Sequence, residues 1–116
     1  MLYWCYNISL EANIVEFETQ FTPEVFILHI GRVTTKGNVS IRLFNIHSII
    51  NVNSISFKLV ASIIHSKDHF YAIVNNNLYN DNKKVIPVEG WENIGKYKRN
   101  VIMLFYTRVR IPEYIT

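Results

Sequence analysis

Residues 24–33, EVFILHIGRV, are the stretch that decides the fold, and they follow directly after Pro23. The run is almost continuously apolar over a length that is typical of a strand buried on both faces. Residues 34–38, TTKGN, then form a predicted turn, because Gly37 is free to take a positive φ. The chain is therefore predicted to be built around a central β-strand.

Further strands are predicted on the C-terminal side of this run. Residues 39–46, VSIRLFNI, alternate in polarity, and residues 55–65, ISFKLVASIIH, form a long apolar stretch. After a break at 66–68, residues 69–75, HFYAIVN, are predicted to return as the second strand of a hairpin. Residues 100–110, NVIMLFYTRVR, form the last strong strand candidate.

The rest of the chain holds shorter elements. Two short strands are predicted at 78–79 and 83–88, and residues 90–99 are predicted to be a loop or one helical turn. Residues 9–17 have an apolar spacing that fits a helix or a strand. Taken together, the pattern predicts a mainly β, β-rich α+β domain with an antiparallel sheet of about six strands and little helix.

The composition agrees with a strand-rich domain. The 116 residues are 49% hydrophobic and include 17 Ile and 13 Asn, and Ile favours strands while Asn favours tight turns. The length argues for a single domain over residues 1–116. We expect its core to span residues 22–110, with 1–21 as a poorly assigned N-terminal segment.

Charge and hydropathy exclude several classes of protein. The net charge is +3, and Lys and Arg do not form a block, so no specific nucleic-acid interface is predicted. No apolar run reaches the length of a membrane span, and no secretory signal is evident. We expect a soluble intracellular protein of the cytoplasm or nucleus, without membrane contact.

Five residues are candidates for chemistry. His69 begins a predicted strand, and Asp81 follows the next one, so the carboxylate could orient the imidazole as in cysteine hydrolases. Asn80 and Asn82 are register-shifted alternatives to Asp81. The lone Cys5 is a candidate nucleophile or a small apolar residue. One cysteine excludes an internal disulfide and a zinc site with several thiolates, and we expect no metal and no cofactor.

Five segments, taken in order, resemble the C-terminal half of the ubiquitin-specific protease (USP) catalytic domain. They are PEVFILHIGR at 23–32, FKLVASIIH at 57–65, DHFYAIV at 68–74, LYNDNKKV at 78–85 and VIMLFYTR at 101–108. They are similar to the family's proline-led strand, its "Y-x-L-x-A-V-I-x-H" strand, its "G-H-Y-x-A-x-V" histidine box, its acidic stretch and its final strand. The resemblance implies the palm of a papain-like USP domain.

The same resemblance implies roles for two residues. His69 would be the catalytic base, and Asp81 would orient it, with Asn80 or Asn82 in its place if the register shifts. The sequence departs from the family where Asp68 replaces the glycine before the histidine. By the same resemblance, we expect these 116 residues to lack the helical half that carries the family's nucleophile.

Cys5 fits the family in more than one way. Residues 5–9, CYNIS, are similar to the nucleophile box "C-Y-x-N-S", although the upstream asparagine that would polarise the oxyanion is missing. The distance to Pro23 instead matches the family's second zinc knuckle, in which Ile8 stands at the place of the second thiol. Cys5 is therefore a remnant of that knuckle, a nucleophile, or neither.

Three functions follow from the sequence. The preferred one is a truncated, inactive USP-like module that binds ubiquitin, a ubiquitin-like protein, an assembly partner or a second copy through an uncovered apolar palm face. The second is an active cysteine deubiquitinase that uses Cys5 and His69, within one chain or across a dimer. The third is a structural β-rich scaffold.

Overall fold

The computed structural model describes residues 2–33, 37–80 and 85–110, and most of the regular structure is strand. The strands and helices are β1 (Tyr3–Ser9), β2 (Glu16–Phe17), β3 (Val25–Gly31), β4 (Ile49–Val52), β5 (Ile55–Ser66), β6 (His69–Val74), β7 (Asn77–Tyr79), β8 (Ile86–Pro87), a short 3-10 helix (Trp91–Asn93), α1 (Gly95–Lys98) and β9 (Val101–Arg108). The predicted mainly β class with little helix is confirmed, as is the helical turn within residues 90–99.

The strands of the described residues form one mixed sheet. Seven of them follow the order β1-β3-β9-β5-β6-β7-β8, while β4 pairs with β5 and β2 pairs with β4. The β1–β3 and β2–β4 pairs are parallel, and the other pairs are antiparallel. The sheet therefore has nine strands where about six were predicted, and it is not purely antiparallel.

The two parallel pairings each use a strand from the N-terminal segment 1–21. The possible helix at 9–17 is wrong, because β1 ends at Ser9, a turn follows, and β2 occupies residues 16–17. Of the apolar residues that suggested a helix, Phe17 is buried and Ile14 is 41% exposed. The structure of this segment is determined by pairing with β3 and β4, because tertiary contacts of this kind override local propensity.

The predicted strand at residues 39–46 is also wrong. Its only bridge within the described residues joins Val39 to Val33. The predicted apolar side is turned outward, since Ile41 and Leu43 are 60% and 51% exposed, whereas Phe44 is 3% exposed. Residues 40–47 therefore form an irregular segment that covers the sheet instead of extending it.

Tight turns that contain asparagine connect two pairs of strands, in line with the high asparagine content of the sequence. Asn75 and Asn76 have φ values of 49° and 64° and join β6 to β7. Asn53 and Ser54 do the same between β4 and β5, with φ values of 51° and 65°. Asparagine tolerates this left-handed region better than most residues, so two-residue hairpin turns form at low cost.

The sheet has one covered face and one open face. On β3, Phe26, Leu28 and Ile30 are buried on the covered face, whereas Ile27 is half-buried and His29 is exposed on the open face. The run at 24–33 is therefore buried on one face and not on both. The covered face packs against the irregular segment and the helical turn, and their buried side chains are Phe44, Ile46, Trp91 and Tyr97.

One polar side chain of the covered face is held by a hydrogen bond. The Tyr106 hydroxyl of β9 donates to the backbone oxygen of His47 at 2.7 Å. Burial raises the pKa of this hydroxyl well above its ordinary value. The hydroxyl thus stays protonated and ties the irregular segment to the central strand β9.

Candidate functional site

His69 is the first residue of β6 and lies at the margin of the sheet. It pairs with Ser66 of β5 across a two-residue turn, and its side chain is exposed. Its ring centroid is 6.3 Å from that of Tyr71. Because side chains alternate along a strand, His69 shares a face with Tyr71 and with the buried Ile73. His69 is therefore on the covered side of the sheet.

The three candidate partners of His69 follow β7. This strand runs antiparallel to β6, and its last residue, Tyr79, pairs with Ala72. The chain leaves β7 in the direction of the His69 end of β6. Asn80 comes directly after Tyr79 and is half-buried, whereas Asp81 and Asn82 lie outside the described residues. Among the described side chains, no hydrogen bond joins His69 to a carboxylate or an amide.

A small cavity lies on the covered side near His69. Its volume is about 210 Å³, and Ser66, which pairs with His69, is part of its wall. The lining residues are Ile64, Ser66, Tyr71, Leu78, Lys96, Tyr97 and Asn100. Among the described residues of the wall, none carries a thiol, and the one charged group belongs to Lys96, whose Nζ lies 5.0 Å from the centre of the Tyr97 ring.

Cys5 lies on the other side of the sheet. It is exposed in β1 and pairs with Ile27 of β3, a residue of the open face. Residues that pair directly across strands share a face, so the Cys5 side chain also lies on the open face. The thiol and the His69 imidazole are therefore on opposite faces of the sheet.

Strand order and register also separate these two residues laterally. Four strand-to-strand steps lead from β1 through β3, β9 and β5 to β6, which amounts to about 19 Å at the usual strand spacing. The row of pairs from Cys5 reaches β6 at Val74, five residues beyond His69, or roughly 17 Å further along the strand. One copy of the chain therefore does not bring the thiol to the imidazole.

The open face carries two apolar rows across the sheet. One row runs through Cys5, Ile27, Phe105, Ala61 and Val74. The next row runs through Asn7, His29, Met103, Ile63, Ala72 and Tyr79. Most of the central members are half-buried, and among the described residues none of them belongs to the buried core or packs against it.

Comparisons with known proteins give fold information. No family model and no curated protein matches the sequence. Among solved structures, the SAGA DUB module Ubp8/Sgf11/Sus1/Sgf73 bound to monoubiquitin matches with a TM-score of 0.59 and 18% identity, over 78% of this chain and 24% of that chain. The fold is USP-like.

A second kind of protein shares this fold. An essential yeast splicing factor matches with a TM-score of 0.57 and 14% identity, over 92% of this chain and 36% of that one. This chain thus spans about a quarter to a third of the proteins that it resembles. A fold shared by a DUB module and a splicing factor does not by itself assign an activity.

Sequence reasoning missed the structural role of Arg32. Its guanidinium is buried and donates hydrogen bonds to four backbone oxygens. The acceptors, with their distances, are Val101 (2.6 Å), Lys98 (2.6 Å), Arg42 (2.7 Å) and Ser40 (3.3 Å). Burial lowers the pKa of Arg32 to about 10, so the side chain stays charged at neutral pH. The one available signal was a lone cation at the end of an apolar run.

Among the described residues, no three or more His, Cys, Asp and Glu side chains are grouped as metal ligands would be. None of the helices in the described part of the chain is long and apolar enough to span a membrane.

Proposed function

We propose that this chain is a USP-like module that binds a protein partner and does not hydrolyse it. The observation that carries the proposal is the position of Cys5 and His69 on opposite faces of the sheet, four strands apart. A thiol is activated by a base within hydrogen-bond reach, and these two groups are far outside that reach. Because His69 has no thiol within reach to activate, we infer that the role of the fold is to bind a partner.

The open face is the binding surface of this proposal. Ile27 and Phe105 pair across β3 and β9 near its centre, and Ile63 lies in the adjacent row. Phe70 (58% exposed) and Val74 (38% exposed) lie towards one margin. Contiguous apolar surface of this kind marks interaction sites on soluble proteins. The partner class is ubiquitin, a ubiquitin-like protein or a subunit of an assembly, in line with the ubiquitin and the subunits in the matching SAGA DUB module.

A titration of the 15N-labelled protein with unlabelled ubiquitin tests binding and location together. We expect amide shifts in the strands around Ile27 and Phe105, and much smaller shifts at Phe44 and Trp91 of the segments that pack on the covered face. Phe105→Glu should abolish the shifts, whereas Phe70→Glu, at the margin of the face, should weaken them. The absence of shifts at about 1 mM ubiquitin, which corresponds to roughly 4 kcal/mol of binding, would eliminate ubiquitin as the partner.

A second experiment addresses hydrolysis. A ubiquitin derivative with a C-terminal electrophile is incubated with the native protein, with His69→Ala and with His47→Ala as a matched control away from the open face. We expect Cys5 to react no faster than a free exposed thiol and equally in all three proteins. Rapid labelling that disappears in His69→Ala alone would contradict the proposal and support the deubiquitinase alternative.

A further inference from the structure

Strand β1 is an edge strand without the features that usually protect an edge. It lies at one end of the sheet order, has seven residues and pairs only with β3 among the described strands. Residues 2–10, LYWCYNISL, contain no charged residue and no proline. Natural edges are commonly short, charged or interrupted by proline. The other end of the sheet, β8, is two residues long and includes Pro87.

The backbone of β1 leaves three residues free to pair outward. The Val25 amide donates to the Leu2 oxygen at 3.2 Å, and Tyr3 pairs with Val25 in the parallel ladder. In such a ladder alternate residues bond the neighbouring strand, so the even-numbered residues of β1 bond β3. The amides and carbonyls of Tyr3, Cys5 and Asn7 therefore point away from the sheet.

We propose that β1 pairs with β1 of a second copy of this chain, antiparallel, about a two-fold axis at Cys5. This register places Cys5 opposite Cys5 of the second copy, and Tyr3 opposite Asn7. All three outward-pointing residues of each copy then form hydrogen-bonded pairs. The pairing ends before Ser9, whose oxygen already accepts a hydrogen bond from the Ala12 amide at 3.1 Å.

A second copy fits this edge because the edge is complementary to itself. In a two-fold pair, each side chain meets a residue of the same short segment, and the absence of charge avoids like-charge repulsion. Trp4 would lie opposite Tyr6 of the second copy, twice by symmetry, and aromatic pairs across strands are stabilising. Both rings already belong to aromatic clusters on the covered face. The ring centroids of Trp4 and Phe21 are 5.1 Å apart, and those of Tyr6 and Phe17 are 5.2 Å apart.

This dimer has a consequence for the thiol. Cys5 would lie at the two-fold axis, and His69 would remain four strand-to-strand steps away in the same copy and five in the second copy. The dimer therefore extends the open face across two copies without building a catalytic pair. It does not depend on the proposed partner binding, because it uses the edge of the sheet and not its face.

The test uses the whole chain under reducing conditions, with mass measured by sedimentation equilibrium and native mass spectrometry. We expect the native protein and Cys5→Ser to be dimers, and Cys5→Lys and Cys5→Glu to be monomers, since each would oppose two like charges at the axis. An equimolar mixture of Cys5→Lys and Cys5→Glu should form the mixed dimer. Ile86→Lys places the same charge on the β8 edge, where Ile86 is 54% exposed, and should leave the dimer intact.

A second measurement keeps the proposal testable if a charged variant does not fold. A short bis-maleimide should join the two Cys5 thiols of the native protein, because hydrogen-bonded opposite residues have Cα atoms about 5.5 Å apart. The proposal would be overturned if the native protein were monomeric at about 100 μM, whether its β1 edge then bound another segment or stayed unpaired. A dimer that survives Cys5→Lys, or a mixture that yields no mixed dimer, would overturn it as well.

Discussion

At the scale of single residues, Arg32 connects three parts of the molecule. It follows β3, and its hydrogen bonds reach the start of β9, the end of α1 and the irregular segment at 40–42. A planar guanidinium can serve several carbonyls at once, which an ammonium does less well. A buried cation without a carboxylate partner is thus satisfied by backbone dipoles.

Arg32→Leu should lower the free energy of unfolding by about 3 kcal/mol or more, because it leaves several buried carbonyls without donors. Arg32→Lys should recover part of this loss. Chemical denaturation followed by circular dichroism measures both variants.

The matched control for Arg32 is Arg110→Ala. Arg110 forms an exposed ion pair with Glu24 at 2.6 Å, and such pairs contribute at most about 1 kcal/mol. Equal losses for Arg32→Leu and Arg110→Ala would show that the backbone hydrogen bonds of Arg32 are dispensable.

At the scale of elements, the irregular segment at 40–47 shows why alternation can mislead. Its polarity pattern suits a strand, with Ile41 and Leu43 on one side and Arg42 and Phe44 on the other. The Arg32 guanidinium, however, takes the carbonyls of Ser40 and Arg42, and no strand pairs with this segment among the described residues. On the opposite side, Phe44 and Ile46 are therefore buried, whereas Arg42 stays exposed.

Substitutions at two adjacent residues of this segment distinguish the observed irregular segment from the predicted strand. Phe44→Ala should cost about 3–4 kcal/mol of unfolding free energy, as is typical of a buried phenylalanine. Leu43→Ala should cost within about 0.5 kcal/mol, since the side chain is largely exposed. Thermal and urea unfolding of both variants provide the comparison, and a larger cost for Leu43→Ala would support the strand instead.

At the scale of the whole molecule, one sheet separates a covered face from an open one. Helical and irregular segments cover the first face, whereas the second presents two apolar rows to solvent. This chain matches only about a quarter of the SAGA DUB module chain. The open face is the surface on which the proposed protein partner would bind.

Alanine substitutions at neighbouring residues of β3 measure the difference in burial between the two faces. Leu28→Ala should cost roughly 3–4 kcal/mol, because Leu28 is 2% exposed. Ile27→Ala should cost less than about 1.5 kcal/mol, since Ile27 is half-buried on the open face. Equal costs in urea unfolding of the isolated chain would mean that the open face is already covered in solution.

The sequence by itself determined the strand-rich class, the central strands β3, β5, β6 and β9, and the asparagine turns. These features depend on local properties, namely apolar runs, side-chain alternation and tolerance of positive φ. The USP resemblance, drawn from five short segments, agrees with the USP-like fold. The roles of His69 and of Asp81, Asn80 or Asn82 stay predictions.

Only the tertiary structure decided the rest. Parallel pairing of β1 with β3 depends on residues more than twenty positions apart, and no local pattern encodes such a partner. Burial of Arg32 and Phe44 depends on which segment reaches the covered face. The separation of Cys5 from His69 is likewise a matter of strand order and face, because a sequence shows which groups exist but not which side of a sheet each one occupies.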